Sequence, residues 1–257
     1  MLKRLFANYL ALIRLSRRRL DSEAAYRDFQ SCQARLLSDY FASKGVEFAG
    51  RLLLDLGSGI EGYSREFAGA GTSVISLDLT PPRQALAARQ TRLRASAIAL
   101  PLEAETIDIV FCASLIEHVA EPEIVLAEAY RVLKPNGIGY FSFPPYYSPM
   151  GGHEFAPFHY FGEKTAMRLA PRHQRVVPDW VRSVYPVMDS PQSFSNLYQG
   201  WGLYKMTVRK FRDLVSHSGF SCLDLSTRYL PCSFVHWPLV GELLTWHAQF
   251  LLIKRSK

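Results

Sequence analysis

Short, largely apolar runs alternate along the chain with stretches in which apolar residues recur every three or four positions. The runs at 52–54, 73–77, 107–112, 138–143, 220–225 and 250–253 have the length of strands buried on both faces. Helical spacing connects Leu2, Leu5, Phe6, Tyr9, Leu10 and Ile13, and then Tyr26, Phe29, Leu36, Leu37, Tyr40 and Phe41. Ser22 is placed to cap the second of these helices and Gly45 to stop it. Further helices are predicted over 63–68, 83–89 (opened by Thr80-Pro81-Pro82), 121–133 and 207–218, with Gly219 ending the last. A short strand is predicted at 93–96 and a turn at Asn136-Gly137. Strands alternating with helices predict an α/β fold on a mostly parallel sheet.

The stretch 51–78 carries the chemistry. A buried strand runs into Gly57, Gly59 and Gly62, a helix starts, and a second strand ends in Asp78. This is the pattern of a nucleotide-binding βαβ unit, in which a glycine turn brings backbone close to a ligand and a helix start offers free N–H groups. Asp78 suits a ribose, because one carboxylate accepts from both hydroxyls. The spacing Gly57-x-Gly59-x-x-Gly62 also fits a dinucleotide fingerprint. Asp55 argues against it: a carboxylate beside the turn repels a pyrophosphate and attracts the ammonium and sulfonium of S-adenosyl-L-methionine.

Composition narrows the picture. The chain has 257 residues, 48% of them apolar, enough for one large domain with an insertion. Of the net charge of +7, six charges come from Lys3, Arg4, Arg14, Arg17, Arg18 and Arg19, which leaves the rest near neutral and speaks against broad nucleic-acid binding. Residues 1–20 are too short an apolar stretch to span a bilayer, but a basic amphipathic helix there is a candidate for peripheral membrane contact. The four cysteines, Cys32, Cys112, Cys222 and Cys232, form no paired pattern, so a reducing, cytoplasmic setting is expected. Residues 144–206 hold eight of the fifteen prolines, which opposes long helices or central strands. This segment follows the strand at 138–143, at the ligand-binding end of a parallel sheet, and its aromatics make it the expected acceptor pocket or lid. His153 and His159 are candidate general bases, with His118 facing the same cleft. Tyr146, Tyr147 and Tyr160 are candidates to position the acceptor, a satellite core being the alternative. The spacing of His153 and His159 matches no zinc signature, so no metal is expected. Arg168, Arg172, Arg175 and Arg182 read as a solvated basic face.

Taken together, 53–59, Asp78, 96–101, 107–119 and the run RVLKPNG at 131–137 resemble the class I S-adenosylmethionine-dependent methyltransferases, most closely the group of ubiquinone and menaquinone biosynthesis enzymes. The resemblance implies a Rossmann-like seven-stranded sheet of order 3-2-1-4-5-7-6 with an antiparallel last strand, helices on both faces and an insertion after strand 5. It implies a methyltransferase domain over 49–143 and 207–257, a helical segment over 1–48, and an insertion over 144–206. Asp55, Gly57, Ser58 and Gly59 would then hold the methionine part of the cofactor, and Asp78 the ribose with Leu79 beside the adenine. Ser96 and Ala97 would lie at the adenine amine, and Ala113 and Ser114 under the methionine part. His118, His153 and His159 would be the catalytic candidates. The implied reaction is methyl transfer to a small-molecule, glycan or lipid-like acceptor, most naturally at oxygen. Two positions depart from the pattern: Ser96 replaces an acid, and Glu61 stands where a third glycine is common, narrowing the approach to the cofactor. A non-catalytic binding module, a nucleotide-dependent oxidoreductase and a nucleic-acid methyltransferase are the rival readings.

Overall fold

The structure is a computed structural model describing residues 2–170, 178–184, 193–197, 201–229, 232–238 and 240–255. Its seven strands form one sheet of order β3-β2-β1-β4-β5-β7-β6. The chain divides into two compact units: residues 1–97 with 178–184, and 98–177 with 185–257.

In the first unit, α1 (Leu2–Arg18) and α2 (Glu23–Ser43) precede β1 (Leu52–Leu56), α3 (Gly62–Gly69), β2 (Ser73–Asp78) and β3 (Gln90–Arg94). Ser22 caps α2 as expected, its Oγ accepting from the Ala25 N–H at 3.1 Å, and Gly45 leaves the helix at φ 74°. β1 pairs in parallel with β2, and β2 with β3. Strands β1 and β2 bury Leu53, Leu54, Leu56, Val74 and Leu77 almost fully. α2 packs on α3 through polar as well as apolar contacts: the Gly62 N–H donates to Gln30 Oε1 at 3.0 Å and Tyr63 donates to Gln33 at 2.5 Å. A Cβ on Gly62 would lie 2.5 Å from the Gln30 Cβ, so the third glycine is there to admit α2.

The helix expected over 83–89 does not form; the backbone there is irregular. Its Leu86 remains 49% exposed, so a helix would have no apolar face to bury. The Gln84 and Ala85 carbonyls accept instead from Arg92 and Arg65.

The second unit holds β4 (Ile107–Ala113), α4 (Pro122–Val132), β5 (Leu133–Phe143), α5 (Glu163–Leu169), α7 (Val208–His217), β6 (Ser221–Thr227), α8 (Gly241–Leu244) and β7 (Ala248–Ile253); α6 (Asp179–Val184) belongs to the first. β4 and β5 are parallel, and β7 runs antiparallel to both β5 and β6. Asn136 and Gly137 lie inside β5 and do not form a separate turn. Asn136 adopts φ 63°, and the β4–β5 register shifts between Ile107 and Ile109. Phe143, Phe211 and Phe250 are fully buried against one another, with centroids 4.7 to 6.1 Å apart, each contributing about 1.5–3 kcal/mol of burial.

Between β5 and α7 the chain has only short helical pieces, as its prolines require. Tyr146, Phe155, Ala166, Phe194, Leu197 and Leu203 make a separate small core, with Trp201 against it. Tyr146 is thus part of a satellite core, while Tyr147 and Tyr160 are exposed. Arg172 and Arg175 lie outside the described residues.

Candidate active site

The glycine turn of the first unit is assembled from β1, β2 and the start of α3. Gly57 and Gly59 sit at φ 70° and 51°, where a side chain is strained. The Gly57 and Ser58 N–H groups both donate to the Leu77 carbonyl, at 2.8 and 3.1 Å. Asp78 closes the turn: one carboxylate oxygen accepts from the Gly59 N–H and the other from the Thr80 N–H, both at 2.9 Å. A carboxylate has about four acceptor positions, so ribose hydroxyls can share it. Leu79, beside it, is exposed, and Ser96 and Ala97 follow β3 with partial exposure.

Asp55 ends a buried polar relay. Gln90 Nε2 donates to Ser76 Oγ, Ser76 to Ser64 Oγ, and Ser64 to Asp55 Oδ2, at 2.8, 2.8 and 2.5 Å. Burial pushes the Asp55 carboxyl up to about 7 against the pull of the Ser64 hydroxyl, with Glu61 raising it further. A cation arriving beside it would favour ionisation. Ser58 Oγ is buried without a partner. A buried acid and an unpaired hydroxyl at a glycine turn fit the ammonium and carboxylate of a bound methionine moiety. Glu61 caps α3 at φ 63°, fully buried, and its carboxylate is committed to Arg92 of β3 through bonds of 2.6 and 2.5 Å.

In the second unit, β4 ends at Ala113, and Ser114 turns the chain at φ 57°. Ser114 Oγ lies 3.1 Å from His247 Nε2. A 3₁₀ turn, Ile116–His118, follows and is strapped by the insertion: the Tyr204 N–H donates to the Glu117 carbonyl at 2.7 Å, and His118 Nδ1 donates to the Gly202 carbonyl at 2.7 Å. The His118 ring stands edge-on to Trp201 and to His153, with centroids 4.7 and 4.8 Å away. His153, itself at φ 48°, brings its Nε2 to 3.8 Å from Glu117 Oε1. Glu117 is 2% exposed, and neither carboxylate oxygen has a hydrogen-bond partner in another residue; its own backbone N–H and the charge of Arg228 act on it, and His153 Nε2 is buried without a partner. Burial pushes Glu117 up to about 8 and His118 down to about 3, and lowers His153, so the imidazoles are neutral.

His159 is placed apart from this pair of histidines. It is buried between Tyr146 and Tyr160, with Gly152 directly against its ring. Sequence reading passed over Glu117, His247 and Arg228. Glu117 had a signal, an acid next to His118 just past a buried strand; the other two are far away in sequence and only the antiparallel β7 and β6 bring them near β4.

With this geometry in place, comparison with known proteins is decisive. Residues 54–141 match the model of a methyltransferase domain family. The chain is 33% identical over 178 residues to an uncharacterized methyltransferase of Mycobacteroides abscessus, covering 64% of this chain and 68% of that protein. The chain belongs to the class I S-adenosylmethionine-dependent methyltransferases. Another methyltransferase, from Mycobacterium ulcerans, is 36% identical over 148 residues, 54% of this chain; the match spans 58% of that relative's length. In fold, this methyltransferase resembles a chain from the complex of the Haloferax volcanii Trm112 methyltransferase activator with a methyltransferase. That match has a TM-score of 0.58 and 14% identity, covering 93% of this chain and 96% of that one. None of these matches singles out the ubiquinone-type group.

Proposed function

We propose that the chain transfers the methyl group of S-adenosylmethionine to an oxygen of a small-molecule or lipid-like acceptor, with His153 taking the proton of the acceptor hydroxyl. The observation that carries this reading is the buried, unpartnered Nε2 of a neutral His153, aimed at an equally unpartnered Glu117. The cofactor, when bound, supplies an already activated cationic methyl group. The protein's own work is then to hold the donor, align the acceptor oxygen, exclude water and accept one proton. Asp55, Ser58 and Asp78, on the glycine turn, serve the first task. The insertion, with its aromatic core, serves as acceptor wall, and the exposed Leu10 and Ile13 of α1 beside its arginines serve peripheral contact with anionic lipid. No helix among the described residues is long and apolar enough to cross a membrane.

The test offers phenolic, sugar and lipid hydroxyl acceptors with deuteriomethyl-labelled donor and locates the label by mass spectrometry and NMR. Label on oxygen, with turnover falling at least about a hundredfold in His153→Ala while S-adenosylhomocysteine affinity holds, is the expected result. Label on nitrogen or carbon, or full turnover in His153→Ala, would refute the reading.

A further inference from the structure

We propose that Glu117, His118 and His153 form a binding site for one divalent transition-metal ion of the zinc type. One donor atom from each lies within 4.8 Å of the others. His118 Nε2 and His153 Nε2 stand 3.9 and 3.8 Å from Glu117 Oε1. Around an ion with bonds of about 2.1 Å, a tetrahedral edge is about 3.4 Å, so Glu117 has to close on each histidine by about half an ångström, and the edge between the histidines, within 4.8 Å, by up to about 1.4 Å.

Three features set this cluster apart from an ordinary buried polar group. Both oxygens of Glu117 are buried with no hydrogen bond from any other residue, a costly arrangement for a carboxyl. His118 donates from Nδ1 to the Gly202 carbonyl, which fixes the tautomer that leaves Nε2 as the electron-pair donor, the arrangement that orients metal-bound imidazoles. His153 is held at φ 48°, a conformation that a non-glycine residue adopts only when its surroundings impose it, and its Nε2 is shut off from solvent. Arg228, whose charge attracts the Glu117 carboxyl, donates to Ser142 at 3.2 Å and lies 4.5 Å from the Tyr229 ring.

The donor set selects the ion. Two imidazoles and one carboxylate suit zinc, cobalt or ferrous iron and leave positions open for a further ligand; magnesium and calcium prefer oxygen alone. The separation in sequence, two adjacent residues and a third 35 positions on, matches no short zinc motif, which is why sequence reading expects no metal. An ion bound here would hold the same His153 Nε2 that takes the acceptor proton in the oxygen-transfer reading, so the two roles of His153 belong to the metal-loaded and the metal-free protein. The binding itself does not depend on that reading.

The experiment takes the full chain, stripped with chelator and dialysed, and titrates it with Zn²⁺ alone by calorimetry and with Co²⁺ by its visible absorption. One equivalent should bind with a dissociation constant in the micromolar range or below. His153→Ala and Glu117→Gln should each weaken it at least about tenfold. S-adenosylhomocysteine affinity serves as the control for folding, since Asp55, Ser58 and Asp78 belong to the other compact unit. A protein that binds S-adenosylhomocysteine but no Zn²⁺, Co²⁺ or Mn²⁺ overturns the metal site and leaves the methyltransferase reading standing. Binding that neither substitution weakens places the ion elsewhere and overturns the site too. Zinc bound without any affinity for S-adenosylhomocysteine upholds the site and removes the methyl-transfer reading.

Discussion

The glycine turn after β1 and the 3₁₀ turn after β4 both follow the carboxyl end of a buried parallel strand, yet they treat their polar groups in opposite ways. At the first, Asp55 is tied through Ser64 and Ser76 to Gln90, Asp78 accepts two backbone N–H groups, and Glu61 is paired with Arg92; Ser58 Oγ is the exception. At the second, the buried Glu117 carboxyl and the Nε2 of the partly exposed His153 have no hydrogen-bond partner in another residue. A satisfied network can be built by the chain alone and holds its shape in the absence of ligand. An unsatisfied one is a standing cost, tolerated where a ligand completes it. The first region therefore holds its shape by its own bonds, and the second carries the unmatched groups on which the proposals rest.

The largest expected effect tests the satisfied side. Arg92→Ala would leave the Glu61 carboxylate, fully buried, without its partner, and breaking such a pair costs about 3–5 kcal/mol. Urea unfolding followed by circular dichroism should show a loss near the lower end, because Arg92 keeps 16% of its side chain in solvent. Loss of less than about 1 kcal/mol would mean that the turn is not held by this pair.

Next comes pH. The folded Asp55 carboxyl titrates near 7 against an ordinary 3.8, so the folded state holds a proton that the unfolded state has released. Its contribution to stability is complete below about pH 4 and is lost as pH rises through 7. Asn at this position can still accept from Ser64 and does not titrate. Asp55→Asn should therefore gain on the wild type as pH rises from 5 to 8, by an amount on the order of 2–4 kcal/mol, read from unfolding curves of the cofactor-free proteins. A difference that stays flat across this range would place the Asp55 carboxyl at its ordinary value.

A smaller effect is expected at Asp78. Removing its carboxylate leaves the Gly59 and Thr80 N–H groups without their acceptor and takes away the ribose partner. S-adenosylhomocysteine should bind weaker by about 1.5–3 kcal/mol in Asp78→Ala, measured calorimetrically. Unchanged affinity would confine Asp78 to shaping the turn.

The same contrast explains what could be read from the sequence. The glycine turn is local: strand, glycines, helix start and terminal acid fall within 51–78, so β1, α3 and β2 were legible from spacing, while the sheet order came with the family resemblance. Two details in and just after it were not. Glu61 was expected to narrow the cofactor approach, because its partner Arg92 lies 31 residues away on a different strand. The helix over 83–89 was expected because prolines can open one, but a helix also needs a face to bury. The second region is non-local throughout: Glu117 and His118 meet His153 only because the proline-rich insertion folds back and straps the 3₁₀ turn through Gly202 and Tyr204. Histidine spacing carries no trace of that. His153 and His159, six residues apart and read as equals, end in different surroundings, one against Glu117 and the other inside an aromatic stack.

The smallest predicted effect, like the one at Asp55, is a gain in stability. If the carboxyl of Glu117 is kept for a ligand and not for the fold, replacing it with a side chain of similar length and no polar tip should relieve the ligand-free protein of an unpaired buried group. Replacing both partners of a buried polar contact can be neutral or stabilising, and here no hydrogen bond from another residue would be orphaned; the Glu117 backbone N–H and the charge of Arg228 are what the carboxyl would give up. Glu117→Met should therefore raise the unfolding free energy by about 1 kcal/mol while lowering turnover, a trade found where stability is given up at a working site. Met bends easily enough to fill the space between His118 and His153 without strain. A loss of more than 1 kcal/mol in the same unfolding experiment would show that Glu117 already has a structural partner, and the two turns would then differ in composition but not in kind.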